Sequence, residues 1–493
     1  MNIKIPSTIF VFNIFILTGC IERGELPLLD GRNPEYLEIL EMAEYREELI
    51  DELWFSEEID ITEWRDSENE RMCIPGQSWC EGDILWKCNI NGDLENTLCD
   101  LGCSDVESAH CREIIPSNID STSLLCMEGV GVLIWSPEFS RVRFDTDSGR
   151  IDVVDENGNS LETIRNEGKG ILNGISFETI PQIDGPMLGV FSFMSLYIPE
   201  GVFVYGTGNN ALVILSCNEV IVEGRLSVDA IRIINGTDVI QRPGPGGYDS
   251  GNGPGRGGDG RNSELQDGGG GGGGFGGEGG NGNGASGFGE GGLVYGNELL
   301  IPLTGGSGGG RGSGNGDSNY GLGGSGGGAL QITSRERIVV NGIISSSGLG
   351  GRGGGLFSPS AGAGGGGGSG GGILLEALVV EITGVVSVNG GGGGGGGSFL
   401  GGRPGEDGEN GLPSEQEAHG GASGGQYGCR GGNGNSSINI NGETYNCTEM
   451  NGGGGGGGAG RIRINALTYT AGILSPSPST SPTSTTFGIP NIM

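Results

Sequence analysis

The chain has 493 residues, 111 of them glycine, and a formal net charge of −35 from 61 acidic and 26 basic residues. So acidic a balance excludes nucleic-acid binding, which needs a basic footprint to displace counterions, and charge-driven attachment to an anionic membrane surface. The length would allow roughly two to four domains, but so much glycine leaves few side chains with which to fill a core.

The first twenty residues, MNIKIPSTIFVFNIFILTGC, set one lysine before an apolar run long enough for a signal-peptide core and short for a membrane span. The run ends in Leu17-Thr18-Gly19-Cys20, which resembles the lipobox of bacterial lipoproteins. That resemblance implies a signal peptide over residues 1–19, cleavage before Cys20, and lipid (palmitate included) on Cys20. Several acyl chains, each buried methylene worth about 0.8 kcal/mol, make a lasting anchor where one chain is marginal. No other stretch approaches eighteen apolar residues, so the expectation is a mature chain attached to a membrane and not threaded through it. Residues 20–70 are acidic and read as a tether extended by self-repulsion. Tyr36, Leu40, Ala43, Ile50 and Leu53 fall within it at roughly helical spacing, so an amphipathic helix over about 34–55 is the alternative.

Residues 71–112 carry Cys73, Cys80, Cys88, Cys99, Cys103 and Cys111. In an oxidising compartment a segment this short is expected to be a disulfide-stapled module, because burial alone does not stabilise it. Six cysteines permit fifteen pairings, and the spacing chooses none of them. A zinc site is the alternative, but there is no C-x-x-C pair and His110 is the only imidazole nearby, so no metal is expected. Trp79 and Trp86 are expected to pack on the disulfides, or else to stack on sugars. Cys126, Cys217, Cys429 and Cys447 suggest two further bridges. Cys429–Cys447 would close one glycine-rich insertion, leaving Cys126 for Cys217.

From residue 127 to 475 the pattern is β. Val130–Trp135, Val142–Phe144 and Val190–Val204 alternate apolar and polar residues between Asn-Gly and Pro-Glu-Gly turn signals. They read as first coils, or as a small capping sandwich. Four similar segments then align without gaps on Gly224, Gly342, Gly384 and Gly472. Ten residues earlier stand Ile214, Ile332, Leu374 and Ile462; four earlier, Val220, Ile338, Val380 and Thr468. Two earlier stand Val222, Val340, Ile382 and Thr470, and two later, Leu226, Ile344, Val386 and Leu474. All these offsets are even, so the side chains share one face of extended chain. One such unit cannot bury its face alone, and stacked copies with a common core are the natural solution. The expected fold is therefore mainly β: a parallel β-solenoid, or β-helix, carrying glycine-rich insertions and preceded by the small disulfide-rich module.

The insertions fall at about 229–328, 347–371 and 390–460, with glycine runs at 268–274, 390–397 and 452–458. A flexible coil of 100 such residues would span roughly 50–60 Å end to end. The alternative is a set of left-handed threefold, polyglycine II-like helices packed side by side, which only glycine permits at close approach. The triplets beginning at Gly402, Gly405, Gly408 and Gly411 fit that geometry. Both ends of each insertion are tied to the solenoid, which favours order. The tail, 476–493, is Pro/Ser/Thr-rich and is expected to be flexible or to cover the last coil.

Residues 128–475 resemble a family of glycine-rich surface proteins, chiefly predicted lipoproteins of myxobacteria and related bacteria. The stretches "LYIPEGVFVYGTGNNALVILSCNEVIVEGRLSV", "GGGALQITSRERIVVNGIISSSG" and "GGGILLEALVVEITGVVSVNGGGGGGG" carry the resemblance. It implies a β-helical core and a cell-envelope location, and it supplies no catalytic residue to transfer. "CIPGQSWCEGDILWKCNINGDLENTLCDLGC" is also similar to the small six-cysteine modules found near the amino terminus of such proteins.

Chemistry on a β-helix needs carboxylates, alone or with arginine, converging on a solvent-facing sheet. The candidates are Glu219, Glu223, Arg337, Glu376 and Glu381. Stacking would place Glu219 beside Arg337, which reads as a surface ion pair. His110 and His419 lie far apart, "GRGGDGRN" (255–262) and "GNGDSN" (314–319) lack the tandem register of calcium-binding repeats, and no glycine run continues into G-K-[ST]. No catalytic residue, metal or cofactor is therefore expected. The expected role is structural or adhesive, in an outer-membrane lipoprotein exposed at the surface, with the membrane, glycans or other envelope proteins as partners. The rivals are a glycan-active lyase or hydrolase and a passive spacer.

Overall fold

The computed structural model describes residues 73–493 except 100, 107, 120–121, 136–138, 236–237, 264–265, 315–318, 358–359, 401 and 480. The signal peptide, Cys20 and the acidic tether lie outside the described residues. Contacts divide the chain into residues 1–75 with 90–93, and residues 76–89 with 94–493. The second unit holds both large sheets. Among the described residues the chain is mainly β, with a single 3-10 turn at Thr122–Leu124 and no α-helix.

The two large sheets have twelve and eight strands. In the first, Leu188–Phe193, Ala211–Ser216, Ala329–Ser334, Gly372–Ile382, Arg461–Thr470 and Thr485–Gly488 pair in succession, all parallel. A second arm of that sheet runs through Val132–Ile134, Ser195–Ile198, Glu219–Val222, Arg337–Val340 and again Gly372–Ile382, also parallel. The eight-stranded sheet stacks Arg141–Asp145, Phe203–Thr207, Arg225–Ser227, Ile343–Ser345, Val385–Ser387 and Ile473–Ser475. Followed along the chain, one segment after another supplies a strand to each of these three rows.

The apolar repeat sets the register. Leu226, Ile344, Val386 and Leu474 are neighbours on successive strands, as are Val220, Ile338 and Val380. The ungapped alignment slips by one residue at two turns, the corner between the two arms in the third copy and the turn after the second arm in the fourth. Ile332 pairs with Leu375 and Leu375 with Ile464, whereas Leu374 turns to the opposite face; likewise Val380 pairs with Tyr469, and Thr468 is exposed. In the third copy the corner between the arms is one residue shorter, Leu375 to Val380 against Ile332 to Ile338. In the fourth the following turn is one residue shorter again, Tyr469 to Leu474 against Val380 to Val386. In both copies the two short strands fuse, into Gly372–Ile382 and Arg461–Thr470. A one-residue change exchanges the faces of every side chain beyond it.

The inward side chains form one buried cluster. It is aromatic at its start (Trp135, Phe144, Phe177, Phe191, Phe193) and aliphatic through the later copies. The first arm is apolar on its other face too. Leu188, Val190, Val213, Leu215 and Leu374 pack there under Ile119, Leu125, Phe275, Leu300 and Leu303. Burial on both faces explains why these strands read as continuous apolar runs.

Both ends of the stack are closed locally. Before the first copies, Ile151–Val154 with Ser160–Arg165 and Ile175–Ile180 with Gly170–Leu172 pair antiparallel onto the two sheets. After the last, Thr485–Gly488 joins the first arm, and Asn491–Ile492 pairs with Ile114–Ile115. The tail is thus partly strand: Ser484 and Thr485 are buried, and their hydroxyls donate to Gly276 O and Pro476 O.

The cysteine-rich segment forms an antiparallel sheet of Ser78–Glu81, Ile84–Cys88 and Leu94–Leu98. Cys80 is bonded to Cys103 and Cys99 to Cys111, and Cys73 and Cys88 are also disulfide-bonded. Trp79 and Trp86 lie opposite each other, stacked at 6.4 Å.

The stretches between strands (228–328, 346–371 and 388–460) bond to one another with a period of three. In the run 268–274, the N–H groups of Gly268, Gly271 and Gly274 donate to Arg261, Gly258 and Gly255; those of Gly269 and Gly272 donate to Asn283 and Gly280. Gly270 and Gly273 donate to Gly364 and Gly367. Three neighbours are thus reached in rotation. The directions in which a side chain would project meet three more: a Cβ at Gly272 would lie 1.9 Å from Gly456 O, and one at Gly273 would lie 2.3 Å from Ser307 O. At the flank, Gly405, Gly408 and Gly411 donate inward to Gly354, Gly351 and Gly348 at 2.8–2.9 Å, while Glu406, Asp407, Glu409 and Asn410 are exposed.

Candidate functional site

The residues singled out in the sequence fall in distinct places. Gly224, Gly342, Gly384 and Gly472 stack where the chain passes between rows. A Cβ on Gly342 would lie 1.9 Å from Gly224 O, and one on Gly384 2.0 Å from Gly342 O, so no side chain fits. Cys126 is bonded to Cys217, tying the lead-in to the corner of the first copy, and Cys429 to Cys447 across 18 residues of the third insertion.

Among the five candidate charged residues, Glu219 and Arg337 sit in register, with Arg337 Nη2 2.6 Å from Glu219 Oε2. That bond and the charge of Glu219 raise the Arg337 guanidinium further above its ordinary value. Tyr197 donates its hydroxyl to Glu223, and this bond raises the phenol. Glu381 is exposed on the second arm. Glu376 departs from the expectation of a solvent-facing carboxylate, being fully buried. It accepts from the Ser117 N–H at 3.0 Å and from the Ser117 hydroxyl, Gln331 Nε2 (2.8 Å), Thr333 Oγ1 (3.0 Å) and Asn465 Nδ2 (3.0 Å). The segment around Ser117 lies over the first arm, and Glu376 pins it there. A buried carboxylate surrounded by neutral donors from its two neighbouring strands and from the Ser117 segment is a structural clamp.

A second buried carboxylate, Asp152, escaped the sequence reading. Arg143 Nη2 lies 2.7 Å and Arg150 Nε 2.9 Å from its Oδ2, and the Thr163 and Ser160 hydroxyls donate to Oδ1. Burial alone would raise this carboxyl, but the four side-chain hydrogen bonds outweigh it and hold it below the ordinary aspartate range.

His110 Nδ1 is 2.6 Å from Ser108 O, and His419 lies on the flank of the glycine bundle, its N–H donating to Glu409 Oε2. In the first of the calcium-like stretches, Asp259 accepts from the Arg311 N–H and pairs with its guanidinium at 3.3 Å. Residues 315–318 of the second lie outside the described residues. Among the described residues, no group of three or more His, Cys, Asp or Glu gathers as metal ligands.

The bundle flank also carries a groove that no local pattern announced. Two edges of the bundle make it: residues 281–288 on one side and 444–448 on the other, enclosing about 360 Å³. The edges are joined by Asn281 N–H to Thr444 Oγ1 (2.8 Å), Gly284 N–H to Cys447 O (3.1 Å) and Ala285 N–H to Glu449 O (3.0 Å). The Cys429–Cys447 bond fixes the second edge to the adjoining strand. Asn283 is committed to the frame, donating to Arg430 O and accepting from the Gly453 N–H. Asn281, Phe288, Tyr445, Asn446 and Thr448 line the opening. Phe288 is 47% exposed, enough to offer a ring face. The volume is within the range of small-ligand sites. No protein-family model, curated protein or solved structure matches this chain.

Proposed function

We propose that the chain is a lipid-anchored bacterial cell-envelope protein, exposed at the outer-membrane surface, with a structural or adhesive role. In this reading the three parallel rows are a β-solenoid and the excursions are a polyglycine II bundle carried on it. The observation that supports it most is the bundle's division of labour. Glycine faces inward at hydrogen-bonding distance, and exposed residues such as Asp259, Glu290, Glu406 and Glu409 face outward. Such an element is stiff, has no apolar core to melt, and presents broad polar surfaces to other molecules. The disulfides are consistent with an oxidising, exported location. The test is binding of the full lipidated chain, held in detergent micelles, to a broad glycan array with calcium present and then chelated. A selective, saturable signal is the expected result for an adhesin. Silence across the array removes the adhesive role and leaves the structural one, whose partners are then sought by crosslinking in the intact envelope.

A further inference from the structure

We infer that the groove between residues 281–288 and 444–448 binds a neutral oligosaccharide, an inference that rests on the adhesive reading above. A pyranose has two kinds of surface: C–H faces that are apolar and hydroxyls that both donate and accept. A site for it therefore needs an aromatic face beside neutral groups of mixed hydrogen-bonding character. This groove holds both kinds. Phe288 and Tyr445 supply rings; the Asn281 and Asn446 amides and the Thr448 hydroxyl supply donors and acceptors in one opening.

Tyr445 and Asn281 are held in place in advance. Arg430 Cζ lies 5.7 Å from the Tyr445 ring centroid, and the same guanidinium donates to Asn433 Oδ1 at 2.8 Å. Asn281 Oδ1 accepts from the Gly291 N–H at 2.7 Å, which fixes its amide group. The three bonds between the edges keep the walls at fixed separation and the disulfide anchors one of them, so little ordering cost remains when a ligand enters.

Charge selects the class. Glu278, Glu290 and Glu449 are exposed on these same edges or beside them, and the whole chain carries −35. Uronic or sialic acid polymers would meet repulsion in such a field, and neutral hexose or N-acetylhexosamine units would not.

The experiment compares full-length wild type with Phe288→Ala, Tyr445→Ala and Asn446→Asp on an array of neutral and acidic oligosaccharides. Phe399→Ala, at an exposed aromatic on a different loop, is the control. Neutral glycans should bind wild type and the control equally, with about a tenfold loss in each groove variant. Asn446 is exposed, so its variant remains informative even if an aromatic replacement disturbs the fold; circular dichroism separates the two cases. Binding that survives all three groove substitutions overturns this site and leaves the adhesive reading standing. Binding confined to acidic glycans overturns the ligand class, and a silent wild type overturns both.

Discussion

Replacing Gly272 by alanine tests the close packing of the glycine bundle directly. A Cβ there would lie 1.9 Å from Gly456 O and 2.5 Å from Gly456 C. Ordinary contact begins at about 3.4 Å, so the segment around Gly456 must retreat by about 1.5 Å. That segment is held by Gly280 N–H to Gly456 O (2.8 Å), Gly455 N–H to Gly270 O (2.9 Å) and Gly458 N–H to Gly273 O (2.9 Å). A retreat of that size takes all three beyond hydrogen-bonding range in a place water does not reach. Each buried group left unpaired costs about 1–3 kcal/mol. The stiffer unfolded chain returns about 0.4–1 kcal/mol. Counting one unpaired group for each of the three broken bonds, the net loss should be about 2–8 kcal/mol, a large part of the stability of a small domain. Glu290→Ala, at an exposed position of the same bundle, should stay within about 0.5 kcal/mol of wild type. Guanidinium unfolding gives the energies, and amide exchange over 268–274 and 452–458 reports the bundle itself. If Gly272→Ala matches Glu290→Ala in both measurements, the glycines are not packed as described.

Asp152 is held below the ordinary aspartate range in the folded state, so its contribution is present above the unfolded value near pH 3.9 and is lost as pH falls through the folded value. Asp152→Asn should lower stability by about 3 kcal/mol at pH 7, since it leaves Arg143 and Arg150 without their buried counter-charge, and should flatten the decline between about pH 5 and 2. An unchanged acid-unfolding profile would refute this. Glu376→Ala should cost about 3–5 kcal/mol by orphaning its buried donors, and Glu376→Gln less, because its amide oxygen still accepts; equal losses in thermal unfolding would argue against the clamp. Cys20→Ser should abolish labelling by radioactive palmitate and release the chain from the membrane fraction; labelling that persists would place the lipid elsewhere.

Much of the frame was legible in residues that recur. Leu226, Ile344, Val386 and Leu474 follow their glycines by two and become neighbours in the eight-stranded sheet. The longest glycine run before residue 300, 268–274, is a segment with six neighbours, and the sparser triplets at Gly405, Gly408 and Gly411 mark a flank. What escaped was whatever depends on a single residue or a distant partner. One residue lost at the corner exchanged Leu374 for Leu375, and no composition signal marks such a loss. Glu376 reads as solvent-facing until Ser117, 259 residues away, is laid over it. The groove joins positions 163 residues apart, so neither edge carries a pattern of its own.

The packing of the glycine-rich segments separates the part of the chain that must stay constant from the part free to change. Along residues 255–262, every third position (Arg256, Asp259, Asn262) is exposed, and at about 3.1 Å per residue such positions recur roughly every 9 Å. Along one segment that spacing exceeds most side-chain contacts, and the partners that remain, such as Arg311 for Asp259, lie on a neighbouring segment. Outward positions such as Glu290 and Glu406 can therefore change one at a time without reworking the glycine packing beneath.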